Sequence, residues 1–458
     1  MSLLSPSHQP VHFVGIAGAG MSALAELLLR RGARVSGCDA NPANAPDLQR
    51  LGIAVAMGHD PSHADSAGAL VVTSAMPRDH PELVRARERG IPVIRRAEAL
   101  AEAVSGADVV GIAGTHGKTT TTVMTTEALR AAGLAPTGIA GGRVGAWNGN
   151  LSEGGEALFV VEADEYDRSF LALTPTVAVV TNVEADHLDI YADLDDIRGA
   201  FSRFLSPARA LVLCDDDAGA RSLVLPTGPQ TIRYAIHSRD ARLRAVDRAS
   251  ADGGSVFTAL FDDEPVCEVR LRVPGEHNVL NALAALGSGL ALGAEPQRLA
   301  EGLGGFTGVE RRFQRVGEAG GVLVIDDYAH HPTELRATLS AARAAYPGRR
   351  IVAAFQPHLY TRTRDFAREF GEALGLADAA YLTEIYPARE QPIDGVTAGL
   401  IAEAAAAAGT PVAWRGTRDD LAAALAAEAR PGDLILTMGA GDITRTGPEL
   451  LASLGASA

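Results

Sequence analysis

Gly111-Ile112-Ala113-Gly114-Thr115-His116-Gly117-Lys118-Thr119-Thr120-Thr121-Thr122 decides the reading of this chain. Before it, Ala107 to Ala113 is apolar apart from Asp108 and reads as a buried strand. After it, Lys118 to Ala132 has helical character and stops at Gly133, a residue type suited to the position just past a helix end. A strand that breaks at a glycine turn into a helix gathers free backbone N–H groups and the positive end of a helix dipole at one point. That point receives phosphate oxygens. Lys118 can neutralise terminal phosphates there, and the Thr119 hydroxyl suits Mg²⁺. Gly114, Thr115, His116, Gly117, Lys118, Thr119 and Thr120 are therefore the candidate nucleotide-phosphate residues. Lys118 is the only lysine among 458 residues. Arginine does not replace it, because a compact ammonium fits a phosphate cradle that a planar fork overfills. The general phosphate-loop pattern has glycine six positions before the lysine. Here that position is Ile112, so the loop is a shorter variant.

The length predicts about three domains at roughly 150 residues each. A hydrophobic content of 47% suffices for several cores, and a net charge of −15 argues against a broad nucleic-acid surface. The three cysteines, Cys38, Cys214 and Cys267, are scattered and odd in number, which predicts a reducing cytoplasm and no zinc site. Met1 to Pro10 is polar, without the marks of a signal peptide, and no apolar run is long enough for a bilayer. The expectation is a cytoplasmic protein with no membrane partner, monomeric or homodimeric.

Working outward towards the N-terminus, Val11-His12-Phe13-Val14 reads as a strand that runs into Gly15-Ile16-Ala17-Gly18-Ala19-Gly20-Met21. A helix from Ser22 to Arg31 and a strand from Ala33 to Cys38 follow, with Asp39 after it. This is a Rossmann-like opening. The glycines stand at 15, 18 and 20, which is not strict G-x-G-x-x-G. The turn reads as a nucleotide or diphosphate site on backbone amides, against a tight turn for helix packing. A strand at Ala69 to Val72 ends in Thr73-Ser74-Ala75-Met76-Pro77, whose hydroxyls suit a ribose or diphosphate. Ile91 to Ile94 is a further strand and Ala97 to Val104 a short helix.

On the other side of the phosphate loop, Thr137 to Asn150 is glycine-rich and predicts a mobile loop. Strand Ala157 to Val161 delivers Glu162, followed by Ala163-Asp164-Glu165-Tyr166-Asp167-Arg168-Ser169-Phe170. Strand Val177 to Val180 delivers Thr181-Asn182-Val183-Glu184-Ala185-Asp186-His187. An acid and a histidine thus reach the same sheet edge as the phosphate loop, where α/β sheets bind ligands. Thr119, Glu162 and His187 are the economical Mg²⁺ set, with Glu162 preferred over Glu165 because it directly ends the strand. Residues 208 to 273 look strand-rich. Pro274-Gly275-Glu276-His277-Asn278-Val279-Leu280-Asn281 then heads a helix, with Asn278 and Asn281 on one face. The pair either reads an adenine edge or caps the helix. Gly302 to Val309 reads as a hinge.

From Glu310 the chain alternates strand and helix. Four strand ends carry polar or glycine clusters: Asp326-Asp327-Tyr328-Ala329-His330-His331, Gln356-Pro357-His358-Leu359-Tyr360-Thr361-Arg362, Glu384-Ile385-Tyr386, and Gly439-Ala440-Gly441-Asp442. Their repetition predicts one ligand face. The fold expected is α/β in three domains: a Rossmann-like domain over 1–104, a phosphate-loop ATPase domain with a mostly parallel sheet over 105–309, and a Rossmann-like C-terminal domain over 310–458.

These stretches together resemble the Mur ligases of peptidoglycan synthesis across essentially the whole chain. The matching runs are HFVGIAGAGM at 12–21, GTHGKTTT at 114–121, EADEYDRSF at 162–170, TNVEADHLD at 181–189, PGEHNVLNALAA at 274–285, RRFQ at 311–314, DDYAHHPTE at 326–334, FQPHLYTRTRDF at 355–366 and GAGD at 439–442. The resemblance implies that ATP drives L-alanine onto the carboxylate of UDP-N-acetylmuramate through an acyl phosphate, with a C-terminal domain that closes over the amino acid. The alternative within the family is a ligase that recycles murein tripeptide onto the same nucleotide sugar. By motif position the resemblance implies that Lys118, His187, His330 and Arg362 are catalytic and that Glu162 and His187 ligate metal. It also implies that Asn278 and Asn281 face the adenine, and that Arg311 or Arg312 with Asp326 holds ATP. Gly18, Gly20, Met21, His59 and Ser74 would hold the UDP part. Tyr328, His330, His358 and Arg362 would face the amino acid and the new amide. Some members hold a second metal with a carbamylated lysine. With Lys118 the sole lysine, a second metal here needs other ligands. Two other classes are weighed: a nicotinamide-dependent oxidoreductase, which leaves the phosphate loop unexplained, and a non-catalytic nucleotide switch, which ATP binding without phosphate release in the presence of all three substrates would favour.

Overall fold

A computed structural model describes residues 9–41, 46–73, 76–188, 190–251, 253–388, 390–410 and 412–456. Three sheets organise the chain. The first is all parallel, in the spatial order Ala54–Met57, Val35–Asp39, Val11–Val14, Ala69–Val72, Val93–Arg95. The order reverses beside Val11–Val14, which puts the Gly15 turn at the switch point of the sheet.

The second sheet has ten strands. At its heart Asp108–Ala113 lies between Val177–Val180 and Leu158–Glu162, parallel to both. Those strands are runs of valine, isoleucine and phenylalanine without alternation, as strands covered on both faces require. Phe159, Val160, Val179 and Ile112 are all fully buried. Each such side chain contributes roughly 1.5–3 kcal/mol of transfer free energy. Parallel strands bring their carboxyl ends to one edge, so Gly114, Ala163 and Thr181 emerge together. The helix Lys118–Ala131 starts there.

The third sheet runs Gln314–Ala319, Val322–Asp327, Asp433–Met438, Arg350–Phe355, Ala379–Thr383, Val412–Gly416. Its first strand is antiparallel and the rest are parallel. The α/β architecture expected in three parts is therefore present. The chain forms two compact units. One holds the residues up to Asp247 with Phe257–Arg270 and Leu280–Phe306. The other holds Arg248–Val256, Leu271–Val279 and the residues from Thr307 onward.

Three expectations are corrected. The glycine-rich stretch expected as a mobile loop is a strand, Thr137–Val144, a single 3-10 turn and a second strand, Gly149–Ser152. Its backbone pairs with Leu158–Glu162 on one side and with its own return strand on the other. The first helix begins at Ala19 rather than Ser22, capped by an extended Gly18, so Gly20 and Met21 lie inside it. The segment expected as a hinge over 302–309 is helical through Gly305, and the two compact units divide just after it, between Phe306 and Thr307. A Cβ at Gly302 would stand 2.5 Å from the Glu127 carbonyl of a neighbouring helix, so that glycine serves close helix packing.

Candidate active site

The phosphate turn is held from below by the strand end Thr181–Glu184. The His116 N–H donates to Asn182 Oδ1 at 2.7 Å, and the Thr181 hydroxyl donates to the His116 carbonyl at 2.6 Å. Asn182 Nδ2 donates to the same carbonyl at 3.1 Å, and the Glu184 N–H donates to Thr115 Oγ1 at 2.9 Å. Gly114 and Gly117 have φ of +141° and +81°. A Cβ on Gly114 would fall 1.9 Å from Thr181 Oγ1, and one on Gly117 would fall 2.6 Å from Asn281 Oδ1. Asn281 also accepts the Thr121 hydroxyl at 3.1 Å, so it braces the turn from behind. Asn278 donates to the Pro274 carbonyl at 2.7 Å, a bond local to the start of its helix.

Lys118 curls back over the turn. Its ammonium donates to the Gly114 carbonyl at 2.7 Å and to Glu165 at 2.8 Å. Burial works against the ammonium, but the carboxylates of Glu165 and Asp164 outweigh it and hold Lys118 charged above its ordinary range. Burial pushes Glu165 up to about 7, with Lys118 opposing. Glu165 is fixed further by Tyr191, whose hydroxyl donates to its carbonyl at 2.6 Å. Glu162 does a different job. It accepts the Thr119 hydroxyl at 3.1 Å and the Gly141 N–H at 2.6 Å. A Cβ at Gly141 would overlap that carboxylate at 2.5 Å. The strand pair missed in the sequence thus supplies a wall of the site. Its signal was the Gly141-Gly142 pair opposite an acidic strand end. His187 adopts φ +54° and places Nε2 3.8 Å from Glu165. Thr120 is buried beneath the turn.

At the N-terminal sheet, the Ala17 N–H donates to Asp39 at 2.9 Å, which ties the Gly15–Gly20 turn to the acid after the second strand. Gly18 and Gly20 border this turn. The Met21 side chain is buried, 2% exposed, directly behind Gly18. His59 points its Nδ1 at Cys38 Sγ, 3.3 Å away. Ser74 lies outside the described residues.

In the second unit the four strand ends do converge. Arg311, at φ +61°, donates to the carbonyls of Gly439 at 2.6 Å and Gly441 at 3.1 Å, and lies 3.5 Å from Asp326. Asp326 is buried and accepts the hydroxyls of Thr437 at 2.6 Å and Thr444 at 2.8 Å. Arg311 and Arg312 both lie over the Tyr328 ring. His330 stacks edge-on with Tyr328 and His358, and His358 stacks on Tyr386. Arg362 is buried, 3.4 Å from His358 Nδ1. The sequence reading missed Glu334, which accepts the His330 N–H at 2.9 Å and pairs with Arg312 at 3.5 Å. Gln356, at the head of its strand-end cluster, donates to Asp442 at 2.8 Å. The His331-x-x-Glu334 spacing at a helix start was the available signal for Glu334.

A phosphate cradle with one lysine, paired acidic strand ends and a separate arginine–histidine face defines an enzyme that uses ATP to activate an acid, an ATP-dependent ligase. Three family models match in sequence: "Mur ligase family, catalytic domain" over residues 10–107, "Mur ligase middle domain" over 112–289, and "Mur ligase, glutamate ligase domain" over 311–441. The UDP-N-acetylmuramate–L-alanine ligase of Kineococcus radiotolerans is 47% identical over 448 residues, 96% of this chain and 95% of that protein. The enzyme of the same name from Streptomyces avermitilis is 46% identical over 97% of both. Among solved structures, a UDP-N-acetylmuramate-alanine ligase from Thermotoga maritima superposes with a TM-score of 0.85 at 28% identity, covering 98% of this chain and all of that one. A murein peptide ligase from Psychrobacter arcticus gives 0.73 at 27%, covering 98% and 99%. The chain belongs to the Mur ligase family. Among the described residues no helix is long and apolar enough to cross a membrane.

Proposed function

We propose that this ligase joins L-alanine, through its amine, to the carboxylate of UDP-N-acetylmuramate, with ATP cleaved to ADP and phosphate. The observation that carries the choice of substrates is the near-full-length identity to relatives bearing that one name. The family's peptide-recycling member stands further off in structure. In the reaction, the muramate carboxylate attacks the γ-phosphorus and ADP leaves. The amine then attacks the carbonyl of the acyl phosphate and phosphate leaves, so one amide forms for one phosphoanhydride broken.

The residues divide the work. The N–H groups of the 114–119 turn and the Lys118 ammonium take the charge that spreads over the transferred phosphoryl oxygens. Glu165 holds that ammonium in place until phosphate oxygens compete for it. The Thr119 hydroxyl and the Glu162 carboxylate, side by side at the head of the helix, are an oxygen donor set that fits Mg²⁺, which supplies charge neutralisation at the phosphates. His187, beside Glu165, completes that corner. Arg311 and Asp326 serve the nucleotide, and Tyr328, His330, His358 and Arg362 serve the amino-acid step. Gly18 and Gly20 receive the diphosphate of the sugar nucleotide, in a cytoplasmic enzyme whose working parts are 1–104, 105–309 and 310–458. The test is a competition in one tube, with UDP-N-acetylmuramate, ATP, Mg²⁺, L-alanine and murein tripeptide, read by mass. The L-alanine adduct is the expected product. The tripeptide adduct as main product would move the assignment to recycling.

A further inference from the structure

The N-terminal sheet carries a second cluster of ligating side chains that the ligase chemistry does not use. His12 on the first strand, Cys38 on the second, His63 in the 3-10 segment Pro61–Ser66 and Glu82 at the head of the helix Pro81–Glu88 each bring one ligand atom to the same spot. These four atoms all lie within 4.8 Å of one another. Cys38 Sγ is 3.2 Å from Glu82, and His63 Nδ1 is 3.0 Å from the same carboxylate. His12 is 4% exposed, and Cys38 and Glu82 are fully buried. The strand register explains the convergence. His12 pairs with Ser36 and Val14 with Cys38, so His12 and Cys38 share the sheet face that packs on the 3-10 segment and the helix.

A second observation points to a ligand. His12 Nδ1 is engaged with Ser36 Oγ at 3.0 Å, whereas His12 Nε2 is buried and has no hydrogen-bond partner. A buried imidazole nitrogen left bare costs on the order of 1–3 kcal/mol unless something takes its lone pair. With Nδ1–H donated to Ser36, Nε2 carries that lone pair into the cluster. This is the arrangement by which an outer hydroxyl fixes the tautomer of a metal-bound histidine. Burial keeps His12 neutral, the form that ligates, pushing it down to about 4.

We propose that His12, Cys38, His63 and Glu82 bind a divalent ion of the zinc class. One thiolate, two imidazoles and one carboxylate form a borderline-soft tetrahedral set, unlike the oxygen set at Thr119 and Glu162. Binding releases the Cys38 proton to solvent and forms the sulfur–metal bond in its place. The ion neutralises Glu82 together with the thiolate, and it clamps the 3-10 segment and its helix to the sheet. His59, whose Nδ1 is 3.3 Å from the sulfur, donates to the thiolate. This departs from the sequence expectation of no zinc site, which rested on the number and scatter of the cysteines. One cysteine is enough when the fold supplies the histidines.

The full-length protein, stripped with chelator and reloaded with Co²⁺, tests this. A thiolate-to-cobalt charge-transfer band is expected in the wild type and absent in Cys38→Ser, which changes one atom. Co²⁺ at the oxygen-lined Mg²⁺ position gives no such band. Zn²⁺ should be retained through desalting at one ion per chain and raise the unfolding temperature. Ser36→Ala should weaken Zn²⁺ binding by at least about tenfold. Circular dichroism of Cys38→Ser checks that the variant folds. A wild type with no band, or a band that survives in Cys38→Ser, overturns the proposal.

Discussion

Two glycine turns in this chain each leave a strand and open a helix, and they are built differently. The turn at Gly114–Lys118 is crowded. Its two glycines sit at positive φ against Thr181 and Asn281, and four hydrogen bonds with the Thr181–Glu184 segment hold it, three at the His116 backbone and one at the Thr115 hydroxyl. The turn at Gly15–Gly20 is open at Gly15 and Gly18, and only the flexible Arg96 side chain comes close at Gly20, 3.0 Å from where a Cβ would stand. Gly15 has positive φ with nothing near it, and a Cβ at Gly18 would make only ordinary contacts with the Gly15 carbonyl at 3.5 Å and Met21 at 3.9 Å. On the roles proposed above, the difference follows from what each turn would hold. A transferring phosphoryl group needs donors fixed before the reaction, because reorganising them costs rate. A diphosphate that is only bound tolerates a looser seat.

That contrast sets the order of expected effects. Gly114→Ala drives a methyl into Thr181 at a left-handed φ. It should lower kcat/KM by at least about a hundredfold and cost about 1–3 kcal/mol of stability. Steady-state rates with thermal unfolding check both, and a near-normal rate would erase the distinction between the turns. Next, Glu162→Gln should cripple turnover far more than Glu165→Gln and raise the Mg²⁺ concentration needed for half-maximal rate. The reverse ranking would move the metal to Glu165. Gly18→Ala should raise KM for UDP-N-acetylmuramate while leaving kcat and the unfolding temperature nearly unchanged, within about 0.5 kcal/mol. Equal loss of kcat and stability would show the open turn to be as constrained as the crowded one.

The last effect belongs outside both turns and touches stability rather than activity. Burial, helped by Arg312, pushes His277 down to about 4. The folded state therefore binds fewer protons than the unfolded chain. Stability from this group is present above about 6.5 and lost as pH falls towards 4, by up to about 3 kcal/mol. His277→Gln should narrow the gap in unfolding temperature between pH 7 and pH 4.5 without touching activity at pH 7. An unchanged gap would remove His277 from the account.

The crowded turn was legible in the sequence because its parts are contiguous: an apolar strand, two glycines, a lysine and a helix. Glu162 was legible because it ends a strand. The division of labour between Glu162 and Glu165 was visible only in part. Glu165 meets Lys118 from the position just before a 3-10 segment with Asp167 and Arg168 at positive φ, a shape that no local pattern announces. The Thr137–Ser152 strand pair was missed because its stability comes from pairing with Leu158–Glu162 rather than from β-forming side chains. In the C-terminal unit the four strand ends could be named, but not which groups touch. The contacts of Arg311 with Gly439 and of Gln356 with Asp442 join residues more than 80 positions apart.

The most direct measurement is phosphate release from ATP and Mg²⁺, with UDP-N-acetylmuramate and L-alanine added singly and together, for the wild type and Lys118→Ala. Release should require both UDP-N-acetylmuramate and L-alanine and fall by about a thousandfold or more without the Lys118 ammonium. Release that continues in Lys118→Ala, or that ignores L-alanine, would contradict this assignment.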